Sequence, residues 1–189
     1  AKSSEFIARA LEDNYDRLAK RENYVSYIAS RPRAQRAGKH ALFTGADDPL
    51  VLSSIADEVA HHPGNMWLPI ISLRREDAAR LGYDDAGQWK ELLTGYAMEM
   101  AEAMKIPWEQ FRWYAAFHDE SHHPHIHMVC YSADGRSGYL TRDGIARIKS
   151  DLAKRIFRQE LHELYERQTR RRDKLTREGG AVMAELVRQ

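Results

Sequence analysis

Histidine is concentrated in one short stretch of this chain. Five of the nine histidines lie between residues 118 and 127, which read His-Asp-Glu-Ser-His-His-Pro-His-Ile-His. Imidazole is the commonest metal ligand in proteins. On a strand, residues two apart point to the same side, so His125 and His127 would share one side and Ile126 would take the other. The spacing therefore predicts two metal ligands around one buried apolar residue.

The segments that flank this stretch predict a hairpin that supplies a third ligand. Residues 110–118 and 125–131 alternate as strands, and only six residues join them. So short a connection favours antiparallel pairing, because a parallel crossover needs a dozen residues or more. In that pairing His118, at the end of the first strand, shares a face with His125 and His127. Three imidazoles with open positions are typical of a catalytic metal site.

The residues between the two strands have lesser roles in this prediction. Asp119 and Glu120 could orient an imidazole through a hydrogen bond. His122 and His123 are weaker ligand candidates, because they lie in the loop and Pro124 interrupts the strand alternation. The plain alternative is a histidine-rich surface hairpin that binds no metal.

The rest of the chain predicts helices around a small sheet. Predicted helices cover residues 3–30, 50–61, 76–81, 85–105 and 143–169, the last continuing towards the C-terminus with a break at Gly179-Gly180, and short strands cover 40–44 and 66–73. This order favours an α+β fold with an antiparallel central sheet and helices packed on one face. We expect residues 1–150 to form the main domain and residues 151–189 to form a basic, helical C-terminal extension.

Composition excludes several classes of protein. The chain has 189 residues and is 43% hydrophobic, which is enough for a core. It has no apolar run near the ~18 residues of a membrane span and no apolar signal region at its start. With one cysteine, it is expected to be cytoplasmic and free of disulfides. The net charge is only +1, but the basic residues are grouped, which allows DNA as a partner.

The stretch from His118 to His127 resembles the third motif of conjugative relaxases, the nicking enzymes of plasmid and integrative-element mobilisation. That motif is a histidine, six residues often ending in proline, and then His-hydrophobic-His, a pattern that marks the broader HUH endonuclease superfamily. Residues 23–32, 71–77 and 138–141 are similar to segments of MobP-type relaxases. In one departure, Asp119 directly follows the first histidine, whereas many relaxases place the acidic residue one position later.

The resemblance implies an HUH or relaxase-like fold in residues 1–150 that acts on single-stranded DNA at an origin of transfer. One divalent ion, Mn²⁺ or Mg²⁺, would polarise the scissile phosphate, and a tyrosine would attack it. The products would be a 5′-phosphotyrosine link and a free 3′-hydroxyl. Three imidazoles suit a first-row divalent ion better than Mg²⁺ alone. Accessory proteins of a relaxosome are expected partners.

The attacking tyrosine has several candidates. The pattern in such relaxases resembles Tyr-Ile/Leu-x-x-(Arg), which Tyr27 matches, and Tyr24 lies one turn earlier on nearly the same helical face. Tyr165, on a helix after the histidines, is a weaker match. Relaxase folds usually open with a strand, whereas this chain opens with a predicted helix at Ala1. The nucleophile could therefore lie upstream, which would leave this chain inactive alone.

Basic residues around the predicted site would contact the DNA. They are Arg31, Arg33, Arg36, Lys39, Arg74, Arg75, Arg136 and Arg142. The run from Arg167 to Arg177 could be a DNA-binding arm or simply an exposed helix. Two other functions stay open on the sequence alone: a metal-dependent phosphoesterase that uses activated water, and a non-catalytic DNA-binding fragment of a relaxase.

Overall fold

A computed structural model describes residues 21–36 and 38–186 of the chain. The helices in chain order are α1 (Arg21–Ser30), α2 (Leu52–His61), α3 (Arg75–Leu81), α4 (Ala86–Ala103), α5 (Arg142–Ile156) and α6 (Arg158–Leu186). The strands are β1 (Met66–Trp67), β2 (Ile70–Ser72), β3 (Phe111–His118) and β4 (His125–Ser132). The part of the predicted first helix before Arg21 lies outside the described residues.

Strand β4 is the centre of a four-stranded antiparallel sheet. It pairs with β3 along its whole length, from Phe111 opposite Ser132 to His118 opposite His125. Its other edge pairs with β1 and β2. The predicted strand at 66–73 is thus two short strands, because Pro69 lies between them and has no N–H to donate to the ladder. The predicted hairpin is confirmed.

Helices cover both faces of this sheet. On one face, Ala116, Val129 and Tyr131 belong to a buried cluster with residues of α1 and α2. On the other face, Trp89 of α4 stacks on Phe117 with ring centroids 6.5 Å apart. The antiparallel α+β architecture is confirmed, with the correction that helices pack on two faces rather than one. The reason is that β4 is buried at seven of its eight positions, so both of its sides need cover.

Helix α1 ends where the chain must turn towards the hairpin. Tyr24, Val25, Ile28 and Ala29 are its buried residues, and they pack into the cluster that α1 shares with α2. Beyond the helix, Arg33 has a left-handed backbone (φ 71°). That turn is followed by a single antiparallel bridge between Ala34 and His118.

The predicted strand at 40–44 does not form. Only Phe43 of that segment bridges to β3, opposite Ala115. The outer edge of β3 is therefore shared by two isolated bridges, at Ala34 and at Phe43, rather than by a continuous strand. A strand needs consecutive ladder hydrogen bonds, and this segment pairs with β3 only at Phe43, while the Ala41 N–H donates to the Ala29 carbonyl instead.

The chain divides into two units between Ala153 and Lys154. In the second unit the helix breaks at Phe157, whereas the predicted break at Gly179-Gly180 is wrong because α6 runs through both glycines. Two arginines of α6 pair with glutamates one turn away: Arg167 pairs with Glu163, and Arg170 pairs with Glu166.

None of the helices that the structure describes has the length and apolar character needed to cross a bilayer.

Two methionines of α4 allow a test of the packing between this helix and the sheet. Met100 is 1% exposed and its Sδ lies 4.0 Å from the Cys130 Sγ, whereas Met98 on the same helix is 59% exposed. We expect Met100→Ala to lower the free energy of unfolding by about 2–5 kcal/mol and Met98→Ala to change it by less than about 0.5 kcal/mol. Urea unfolding followed by circular dichroism measures both. Equal losses in the two variants would contradict this packing.

Candidate metal centre

Three imidazoles converge at the open end of the β3–β4 hairpin. His118 is the last residue of β3 and pairs with His125, the first residue of β4. His127 follows two positions later on the same face, and the three ring centroids are 4.7–5.2 Å apart. One nitrogen from each ring lies within 4.8 Å of the other two. These three residues could hold a metal ion.

Two of the rings are oriented by backbone carbonyls. Nε2 of His118 lies 2.8 Å from the carbonyl oxygen of Ile28, and Nδ1 of His125 lies 2.8 Å from that of His123. A carbonyl oxygen can only accept, so each of these outer nitrogens must carry the proton. The inner nitrogens, Nδ1 of His118 and Nε2 of His125, are then left with lone pairs.

The third ring is oriented by a buried tyrosine. The Tyr24 hydroxyl donates to the carbonyl oxygen of Met128 at 3.3 Å and lies 3.4 Å from Nδ1 of His127. Because the tyrosine proton is directed to Met128, we assign the proton of this contact to His127 Nδ1, with the tyrosine oxygen accepting. Nε2 of His127 is then unprotonated and faces the other two rings.

The inner nitrogens have the arrangement that a bound cation requires. Nε2 of His125 lies 3.1 Å from Nε2 of His127, and two ligand nitrogens on one metal are about 3.0–3.4 Å apart. Nδ1 of His118 is buried and has no hydrogen-bond partner among the described residues. A buried polar atom without a partner costs about 1–3 kcal/mol. Lone pairs that face one another repel unless a cation lies between them, so the donor set fits a metal.

The protonation states also suit metal binding. Burial is the largest cause that lowers the pKa of His118, His125 and His127. The Arg31 charge lowers all three further, whereas carbonyl hydrogen bonds and the Glu120 charge partly offset the lowering at His118 and His125. The lowering is largest at His127, whose pKa falls to about 2. All three rings are therefore neutral at pH 7, and neutral imidazole is the form that binds metals.

The sequence near α1 explains why the Ile28 carbonyl is available to His118. In a continuing helix that carbonyl would accept a hydrogen bond from the N–H of the residue four positions on. That residue is Pro32, which has no N–H. The carbonyl at the end of α1 therefore accepts from the imidazole instead, and this bond links α1 to the end of β3.

The two tyrosine candidates on α1 lie in different environments. Tyr24 is 3% exposed, and burial raises the pKa of its phenol well above the usual range. Tyr27 is 44% exposed, and the guanidinium carbon of Arg31 lies 5.0 Å from its ring centroid. The Arg31 charge also acts on all three histidines, since it contributes to lowering each pKa. Tyr165 is exposed on α6, in the second unit.

The predicted orienting carboxylates are directed elsewhere. Asp119 pairs with Arg75 at 2.6 Å, and Glu120 pairs with Arg33 at 2.9 Å. The hydrogen bonds to the outer ring nitrogens come instead from two carbonyls and from Tyr24. The sequence reasoning missed these partners, and only Pro32, which releases the Ile28 carbonyl, carried a signal that could have indicated one.

The other predicted DNA-binding residues are on the surface. Five of them are exposed and make no ion pair with any described residue: Arg36, Lys39, Arg74, Arg136 and Arg142. Arg33 and Arg75, in contrast, are engaged by the acidic residues that follow His118. The prediction that Arg33 and Arg75 contact DNA stays a prediction.

An α+β domain with an antiparallel sheet is consistent with a relaxase-like fold, and its three inward-facing imidazoles could hold a metal ion. The family model described as MobL relaxases matches residues 4–188. The chain therefore belongs to the MobL relaxase family, a family of DNA-nicking enzymes. No curated protein and no solved structure matches the chain significantly. The predicted relaxase resemblance is confirmed at this level, and the narrower resemblance to the MobP type and the HUH superfamily stays a prediction.

Removal of any one of the three imidazoles is expected to abolish tight metal binding. Titration of the wild-type chain with Mn²⁺ in a calorimeter should give one site per chain, and His118→Ala, His125→Ala and His127→Ala should each weaken binding more than about 10-fold. His61→Ala is the matched control, because His61 is an exposed histidine paired with Asp57 on α2. Unchanged affinity in His127→Ala would place the metal elsewhere.

Proposed function

We propose that this chain nicks single-stranded DNA at an origin of transfer, by transesterification onto a tyrosine, for the mobilisation of a plasmid or an integrative element. The observation that carries the proposal is the set of three neutral imidazoles whose inner nitrogens converge at the end of the β3–β4 hairpin. The exposed Tyr27 directly precedes Ile28, whose carbonyl accepts from His118. Membership in a relaxase family supports the same reaction. Because the proposed substrate is intracellular DNA, the proposal places the enzyme in the cytoplasm, with relaxosome accessory proteins as partners.

The proposed cofactor is one divalent ion, Mn²⁺ or Mg²⁺. His118 would hold it through Nδ1, and His125 and His127 through Nε2. When bound, such an ion supplies positive charge next to the scissile phosphate and stabilises the charge that develops on its oxygens. The all-imidazole donor set favours Mn²⁺ over Mg²⁺, since Mg²⁺ prefers oxygen ligands.

We propose Tyr27 as the nucleophile. Its hydroxyl oxygen would bond to the phosphorus, and the bond from phosphorus to the 3′-oxygen would break. The phenol proton passes to solvent, and the 3′-oxygen takes up a proton to become the free hydroxyl. The exposure of Tyr27 supports this role, because an attacking side chain must reach a DNA strand. The new 5′-phosphotyrosine ester keeps the energy of the original linkage for later rejoining.

Tyr24 is proposed as a positioning residue rather than as the nucleophile. Its hydroxyl is buried against His127 and Met128, and burial disfavours its phenolate form. Its contact with Nδ1 of His127 would keep the opposite nitrogen of that ring unprotonated. Arg31, which lies over the Tyr27 ring, would bind the phosphate that the tyrosine attacks.

Tyr27→Phe is expected to abolish the covalent product, and Tyr24→Phe is expected to slow its formation without abolishing it, because Tyr24 orients a ligand but does not attack. The assay incubates the chain with Mn²⁺ and 3′-labelled single-stranded DNA from the origin of its own element, and detects label on the protein after denaturation. The 3′ label is required because the protein stays attached to the 5′ phosphate of the downstream strand. An adduct that survives in Tyr27→Phe would show that Tyr27 is not the nucleophile.

The same assay separates the alternative functions. Cleavage without an adduct would indicate a phosphoesterase that uses activated water. Binding without cleavage would indicate a DNA-binding module whose nucleophile lies outside this chain. Wild-type adduct that disappears when a chelator removes the metal supports the proposal.

The exposed basic residues after α1 are proposed to bind the DNA backbone. Arg36→Ala and Lys39→Ala should each weaken single-stranded DNA binding at low salt. Each phosphate contact that is lost should reduce the slope of log affinity against log salt concentration by about 0.7. Arg147→Ala is the control, because Arg147 pairs with Glu102 on α4. If a variant that carries both substitutions kept the wild-type slope of log affinity against log salt concentration, the proposed contacts of Arg36 and Lys39 with DNA would be contradicted.

We propose that residues 1–150 form the catalytic domain and that residues 151–189 form a basic extension. The boundary between Ala153 and Lys154, which separates the two units of the chain, supports this division. Residues 161–179 are exposed on α6, so the basic run from Arg167 to Arg177 would be accessible to DNA.

A further inference from the structure

A single arginine outside the candidate metal centre bonds to four of the six residues that join two of its ligands. We define the ligand loop as residues 119–124, which join His118 to His125. The guanidinium of Arg75 donates through Nη2 to the Asp119 carboxylate at 2.6 Å and to the carbonyl of Glu120, and through Nε to the carbonyl of Ser121 at 3.2 Å. Its backbone N–H donates to the carbonyl of His122 at 3.2 Å. Arg75 thus bonds to four consecutive loop residues.

We propose that Arg75 is a positioning residue for the metal centre, acting through the ligand loop on His125. The fold places Arg75 next to the ligand loop. Arg75 is the first residue of α3, and only two residues separate it from the end of β2. Ser72 of β2 pairs with His125. The same short segment therefore holds the start of β4 on one side and the loop on the other.

The connection from Arg75 to the ligand runs through one carbonyl. Nδ1 of His125 donates to the carbonyl oxygen of His123, inside the ligand loop. That bond keeps Nε2 of His125 unprotonated and aimed at the other imidazoles. Release of the loop would release the His123 carbonyl, and His125 would lose the partner that fixes its tautomer. The outer partners of His118 and His127 lie on α1, outside the loop.

The location of His125 explains why a loop contact matters. His118 and His125 form the last pair of the β3–β4 ladder, and beyond it the Leu73 N–H still bonds to the Pro124 carbonyl on the β2 side. His127 lies one pair further inside, opposite Ala116. An exposed ion pair alone is worth little, but the bonds from Arg75 to three backbone carbonyls and one carboxylate constrain the loop geometrically. Lysine, with a single ammonium group, cannot reproduce the three side-chain bonds to Asp119, Glu120 and Ser121. The backbone bond to His122 is available to any residue at position 75.

The inference rests on the metal site of the proposed function but not on DNA nicking. Its first test therefore uses the metal-free full-length chain. Two-bond ¹H–¹⁵N spectra of the imidazoles should show His125 protonated at Nδ1 in the wild type. In Arg75→Lys and Arg75→Ala the His125 signals should move to a mixture of tautomers, while those of His118 and His127 stay unchanged. An unchanged His125 tautomer in both variants would overturn the inference.

The second test is Mn²⁺ affinity measured by calorimetry. Arg75→Ala is expected to weaken binding by about 10–100-fold. The matched control is Arg80→Ala, because Arg80 is on the same helix and pairs with Asp77 at the same 2.6 Å distance at which Arg75 pairs with Asp119. The control should stay within about twofold of the wild type. If Arg75→Ala fails to fold by circular dichroism, Arg75→Lys decides the test.

Two outcomes separate this inference from the proposed function. A wild-type chain that binds no Mn²⁺ would overturn the metal site, yet a shifted His125 tautomer in Arg75→Lys would still support the positioning role. A wild type and an Arg75→Ala variant with equal Mn²⁺ affinity would overturn the role of Arg75 and leave the metal site intact. Loss of single-stranded DNA binding in Arg75→Ala, with the tautomer and Mn²⁺ affinity unchanged, would make Arg75 a DNA contact instead.

Discussion

The metal centre depends on three hydrogen bonds that lie outside it. An imidazole has two nitrogens, and the partner of one decides which nitrogen carries the proton. The carbonyls of Ile28 and His123 and the hydroxyl of Tyr24 each face an outer nitrogen. Together they leave three lone pairs directed inward. Without these partners the same histidines could bond to one another, and the cluster would lose its preference for a cation.

These bonds come from two parts of the fold, since Tyr24 and Ile28 both lie on α1. Ile28 belongs to α1, which packs on one face of the sheet through buried side chains. His123 belongs to the ligand loop, which is bonded to Arg75 at the start of α3. The hairpin alone brings the rings together, but α1 and α3 determine their orientation. The site is thus a property of the whole first unit rather than of one motif.

The sequence predicted the hairpin well because its signals are local. Alternation in β3 and β4 and a six-residue loop define the face that His118, His125 and His127 share. The sequence failed where tertiary context decides. Nothing near Asp119 indicates that its carboxylate pairs with Arg75, 44 positions away. Glycine lowers helix propensity by about 1 kcal/mol, which is too little to break α6 at Gly179. Alternation in β4 predicted helices on one face only. The apolar residues on its other face, Val129 and Tyr131, are the signal for cover on both faces.

The most direct test of this account is anomalous diffraction from crystals of the full chain grown with Mn²⁺. The account predicts one ion, bound through Nδ1 of His118 and through Nε2 of His125 and His127, while the outer nitrogens keep their bonds to Ile28, His123 and Tyr24. An ion bound through the outer nitrogens, or a peak away from the three histidines, would contradict it.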